Sequence, residues 1–124
     1  MRNEIIDEIV DVLKGIDGLK TVRRNLWDVA DAQLPAVAVV YKGENPKELL
    51  SRTQINMQVE LKLLTKERDS DANLVALIEE IERALDFYEG SSFYTVVGSI
   101  SSDVGAIYPY RRADITLNVI FRRQ

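Results

Sequence analysis

The 124-residue chain carries sixteen lysines and arginines against twenty aspartates and glutamates, a net charge of −4, with no cysteine and no histidine. That inventory excludes disulfides, thiolate nucleophiles, Cys- and His-based metal sites and histidine general bases. The acidic balance opposes binding to a polyanion by counterion release. Hydrophobic residues at 46% and charged residues at 29% are ordinary globular usage, so one domain over residues 1–124 is expected.

Met1-Arg2-Asn3-Glu4 leads directly into an acid-rich pattern rather than a signal peptide, and the longest apolar run, Leu34 to Tyr41, is too short to span a bilayer. A cytoplasmic protein without membrane contact is the expectation. Ile5, Ile6, Ile9, Val10, Val12 and Leu13 recur at helical spacing and predict a first helix over Arg2 to Lys14, with Asn3 as N-cap and Gly15 and Gly18 at its end. Leu19 to Leu26 has the imperfect alternation of a short strand, and the segment around Trp27 has no period.

Pro35 to Tyr41 is β-branched and nearly all apolar, as in a strand covered on both faces or central in a sheet. Lys42 to Thr53, polar and interrupted by Gly43 and Pro46, reads as a long connecting loop. Ile55, Met57, Val59, Leu61 and Leu63 then alternate with Gln54, Asn56, Gln58, Glu60 and Lys62, a strand with one face in the core and the other toward water or a partner.

Asp69 or Ser70 can cap a second helix over Asp71 to Phe87, with Leu74, Leu77, Ile78, Ile81 and Leu85 inward, a Glu79–Arg83 pair outside and Gly90 closing it. Phe93 to Ser101 predicts a strand with a bulge at Gly98, residues 102–109 turn the chain, and Ala113, Ile115, Leu117, Val119 and Phe121 alternate in a last half-buried strand. The order α-β-β-β-α-β-β implies an α+β domain, a mainly antiparallel sheet with two helices packed on one face.

Motifs for catalysis are missing. No phosphate-cradling glycine loop or EF-hand loop is present, and Glu79, Glu80 and Glu82 are spaced as a solvated helix face rather than a metal or acid/base site. The expectation is therefore no enzyme and no cofactor. The arginine doublets 23–24, 111–112 and 122–123 read as solvated strand ends or inter-subunit salt-bridge partners. Trp27 is either a core plug or an interface anchor, and Tyr108, Tyr110 and Arg111 have a composition found both at interfaces and at ordinary strand edges.

The short N-terminal amphipathic helix, the phrase Leu34-Pro35-Ala36-Val37-Ala38-Val39-Val40, the alternating strand from Arg52 to Thr65, the acidic helix and the closing strand from Arg111 to Val119 together resemble the tail terminator (tail completion) proteins of long-tailed bacteriophages and prophages. The likeness spans nearly the whole chain. It implies a virion tail subunit assembled in the host cytoplasm. Copies would form a hexameric ring that stops tail tube polymerisation and presents a joining surface to the head connector, with DNA only passing through the lumen. Gln54, Asn56, Gln58 and Glu60 are the interface candidates, joined by Trp27, Tyr108, Tyr110, Arg111 and the Lys42 to Thr53 segment. Other neck or head-tail joining proteins have similar size and shape. A small ligand-binding or regulatory domain would instead show an enclosed apolar pocket, and a carboxylate enzyme two acids converging in a cleft.

Overall fold

A computed structural model of the chain describes residues 1–25, 28–49, 52–102 and 108–123. Its elements are α1 (Arg2–Lys14), β1 (Thr21–Arg24), a single 3-10 turn (Asp31–Gln33), β2 (Ala36–Leu49), β3 (Arg52–Lys66), α2 (Ala72–Leu85), β4 (Phe93–Ser102) and β5 (Tyr110–Arg123). The strands form one sheet in the order β1-β2-β3-β5-β4. Pairing is antiparallel throughout except that β1 runs parallel to the start of β2. The expected α+β class and element order hold.

Alternation decides which side of the sheet is covered. Ile55, Met57, Val59, Leu61 and Leu63 of β3 and Ala113, Ile115, Leu117, Val119 and Phe121 of β5 all point to one face. There they join Ile5, Ile6, Ile9 and Leu13 of α1 and Leu74, Leu77, Ile81 and Leu85 of α2 in one core. Both helices are amphipathic at the spacing that puts these residues on one stripe, so each buries that stripe against the sheet and leaves its acids outside. Ala36, Val37, Ala38 and Val39 of β2 are buried on both faces, as their unbroken apolar run implies.

Several local expectations are corrected. Of the expected loop from Lys42 to Thr53, the described residues are strand: β2 continues to Leu49 and pairs with β3 down to Leu49 opposite Arg52, while residues 50–51 lie outside the described residues. A register shift between Tyr41 and Gly43, with Gly43 at φ +148°, absorbs the irregularity that made this stretch look unstructured. Pro46 is tolerated because β1 pairs only with residues 36–39, leaving β2 beyond them bonded to β3 alone among the described strands.

Asn3 does not cap α1. Met1 occupies that position, and the Asn3 side chain lies inside the first turn, where its Oδ1 accepts a hydrogen bond from Arg24 at 3.0 Å. The start of α2 is held by a residue outside the expected cap. Glu67 accepts the backbone N–H groups of Asn73 and Leu74 at 2.8 and 3.0 Å and the Thr65 hydroxyl at 2.8 Å, while Ser70 takes the N–H of Ala72. A carboxylate there also suits the positive end of the helix dipole.

Helix α2 stops at Leu85 rather than Phe87, and Phe87 takes a left-handed conformation at φ +57°. Gly90 does not close the helix. It lies where an added Cβ would meet the Phe93 ring at 2.3 Å and Glu8 Oε2 at 2.8 Å, so its role is close packing of the corner against β4 and α1. Arg83 pairs with Glu80, not Glu79. The expected bulge in β4 is present, with the register against β5 shifting between Val97 and Ile100 around Gly98.

Candidate functional site: the open sheet face and its two ends

With the helices on one side, the opposite face of the sheet has no covering layer of regular structure among the described residues. Gln54, Asn56, Gln58 and Glu60 of β3 lie on it in a row, each half-buried because flanking strands shade it. Across β5 they face Arg122, Ile120, Asn118 and Thr116, and across β2 they face Lys47, Asn45, Gly43 and Val40. β4 adds Tyr94 and Val96. The result is an amide-rich strip with apolar flanks, the mixed chemistry of a surface that exchanges water for another protein without a large desolvation penalty.

The ionised groups of this face are shared. Burial alone would push the Glu60 carboxyl up, but Lys62 at 3.2 Å and Lys42 at 3.6 Å outweigh it and hold Glu60 below the ordinary carboxylate value. Asn56 carries the one described buried side-chain oxygen without a hydrogen-bond partner. A carbonyl oxygen left so is costly unless something supplies a donor.

Tyr110 and Arg111 belong to a different place, the far end of the sheet. Tyr110 donates its hydroxyl to Asp31 Oδ1 at 2.8 Å, and Lys66 reaches Asp31 Oδ2 at 2.7 Å, so the 3-10 turn is tethered to the ends of β3 and β5. Asp31 is held below its ordinary range by Lys66 first and Tyr110 second. Arg111 donates to the backbone oxygen of Glu67 at 3.4 Å. These two are therefore structural ties, whereas Tyr108 is 64% exposed and free to meet a partner. Trp27 lies outside the described residues. Of the arginine doublets, Arg122 and Arg123 lie exposed at the strand end, whereas Arg24 meets Asn3 and Asp7 and Arg112 pairs with Asp114, contacts within the chain rather than between subunits.

Two further features carried no sequence signal. Arg2 clasps Glu44 through two hydrogen bonds of 2.8 and 2.6 Å and lies over the Phe121 ring at 5.5 Å, joining the start of α1 to the projecting part of the hairpin. Beside β2, a groove of about 600 Å³ opens between Ala38, Val40 and Leu64, rimmed by Lys42, Lys62 and Arg112. A three-dimensional register had to bring these together, since they are scattered from position 38 to position 112.

The architecture is a two-layer α+β domain whose sheet is helix-covered on one side only. No protein-family model matches the sequence, and no curated protein is detectably similar to it. Among solved structures the fold is similar to a chain of the virion of a native gene transfer agent particle, with a TM-score of 0.66 and 12% sequence identity over 93% of this chain and 92% of that one. At that identity the likeness shows the fold.

Proposed function

We propose that the protein is a structural subunit of a phage-like virion, without a reaction of its own, which caps the finished tail tube as a ring and offers the joining surface to the head connector. The observation that carries the reading is the end-to-end fold similarity to a chain of a gene transfer agent virion, which covers nearly all of both chains. The open amide-rich sheet face supports it, because a ring subunit needs surface given over to neighbours rather than to a core. The acidic net charge supports it too, since a bore that lets DNA slide must repel phosphate rather than grip it.

The test is the mass of the purified protein by light scattering over a concentration series, with and without tail tube protein, combined with electron microscopy of the tube ends. A closed oligomer of hexamer size, or tubes whose ends carry the protein, is the expected result. A monomer at every concentration that leaves tube ends bare would overturn the capping role.

A further inference from the structure

Charge is divided between the two layers. β3 and β5 together hold seven basic and two acidic residues, whereas α1 and α2 together hold seven acidic and three basic ones. Part of the sheet's charge is matched within the chain. Lys42 and Lys62 share Glu60, Arg112 meets Asp114, and Asp28 stands at the same margin, so that end of the open face is close to neutral. The unmatched charge lies at the other end. Lys47 and Arg122 flank Gln54 in one row across β2, β3 and β5, and Arg52 follows two residues along the same face of β3. None of these three cations has an ion-pair partner among the described residues. Glu44 and Glu48, the acids nearest in sequence, fall on the helix side of β2 by register, and Glu44 is held by Arg2.

The outer side of the helix layer has the opposite character. Val75, Glu79 and Glu82 share one outward stripe of α2 at helical spacing, Val75 is 44% exposed, and neither acid has a cationic partner among the described residues, since Arg83 pairs with Glu80. Two open faces brought together would oppose cation to cation, and two helix faces acid to acid, so a two-fold contact through either is penalised. Only the open face of one copy against the helix face of another opposes unlike charges. The open face is also equipped for contact beyond its charge. One row in from Lys47 and Arg122 lie Asn56, whose side-chain oxygen lacks a donor, and the apolar Ile120 and Tyr94.

We propose that the Lys47, Arg52 and Arg122 end of the open sheet face of one copy docks on the Val75, Glu79 and Glu82 stripe of α2 in the next. The contact joins two different surfaces on opposite layers, so each copy keeps one of them for a further neighbour, which is the head-to-tail geometry that propagates around a ring. Docking covers the unmatched cations and leaves the acidic surplus of the chain outside the contact, which suits a bore that must not hold DNA. The proposal deepens the ring reading and rests on it for the identity of the partner, a second copy of this chain.

Charge reversal in the full-length protein tests the pairing. Lys47→Glu with Arg122→Glu, or Glu79→Lys with Glu82→Lys, should each weaken self-association about tenfold or more in a sedimentation concentration series run with and without tail tube protein. Mixing the two variants should restore association to within about threefold of wild type, because every contact in an alternating assembly again opposes unlike charges. All four side chains lie outside the core, so each variant should melt close to wild type; where a reversal unfolds the chain, neutralisation by Lys47→Gln with Arg122→Gln, or Glu79→Gln with Glu82→Gln, should give a smaller loss in the same series. A reversal that leaves association unchanged, a folded mixture that does not recover, or a wild type that stays monomeric with and without tubes overturns the contact. So does a Lys47→Glu, Arg122→Glu variant that loses only binding to a DNA duplex, which would assign that face to phosphate. Capping of tubes that survives both reversals upholds the capping role and overturns the contact, whereas recovery on mixing in a protein that never caps tubes upholds the contact and overturns the capping role.

Discussion

The two faces of the sheet are built from the same strands, from residues that alternate between them, yet they obey different constraints. On the helix side, β3 and β5 contribute ten side chains that are all buried in one cluster. On the other side the residues between them, Gln54, Asn56, Gln58 and Glu60 among them, are half-exposed, and of these four Glu60 pairs with Lys42 and Lys62 while the Asn56 oxygen has no partner. The first face determines whether the chain folds. The second is available for whatever the folded chain joins, and substitutions should separate the two roles.

The largest effect is expected on the covered face: Leu61→Ala, at a site with no exposure, should lower the unfolding free energy by about 2–5 kcal/mol in a chemical denaturation experiment. Gly90→Ala comes next, because the added methyl group collides with the Phe93 ring and Glu8 where the corner packs onto the core, at a cost of about 1–3 kcal/mol read the same way. Glu67→Ala, which strips two N–H groups at the start of α2 of their acceptor, should cost about 1 kcal/mol and fray that helix in hydrogen exchange.

Acid should act through the same joints. Ser91 and then Tyr88 hold the Glu8 carboxyl below its ordinary value of 4.5, and Arg2 does the same for Glu44. A carboxyl with a lowered folded-state pKa adds stability that is present above its unfolded-state value and is lost as pH falls through the folded one. The melting temperature should therefore drop on acidification below the ordinary carboxylate range, and Glu8→Gln should flatten part of that drop. Smallest of all in stability is Gln58→Arg on the open face, expected to stay within about 0.5 kcal/mol of wild type while reducing assembly yield in light scattering. If assembly is unchanged, that face is not an interface.

The covered half of the molecule was legible because burial imposes a period. β3 and β5 alternate with few exceptions, Leu64 and Ile120 on the open face being two, and α1 and α2 repeat at helical spacing, so the core could be named from those patterns. Lys42 to Leu49 was not legible, since it extends past the helix layer at an edge and no core selects alternate apolar residues there; only pairing with β3 makes it a strand. Glu67 escaped notice because it caps α2 from several residues upstream of the usual position. The row Gln54 to Glu60 was readable as an exposed face, but Tyr110 and Arg111 were not readable as ties, since their partners Asp31 and Glu67 lie far away in sequence. Phe87 looked like the end of a helix, and only its backbone angle and exposure set it apart.

The projecting part of β2 bears on timing. A bare strand edge recruits other edges indiscriminately, and this one carries Pro46, a bulge at Gly43 and an alternation of Lys42, Glu44, Lys47 and Glu48 that spoils a regular zipper. Newly made copies can therefore accumulate in one another's presence without sticking by backbone alone. A contact between copies would then have to come from side-chain surfaces of matching shape rather than from the open backbone of this edge.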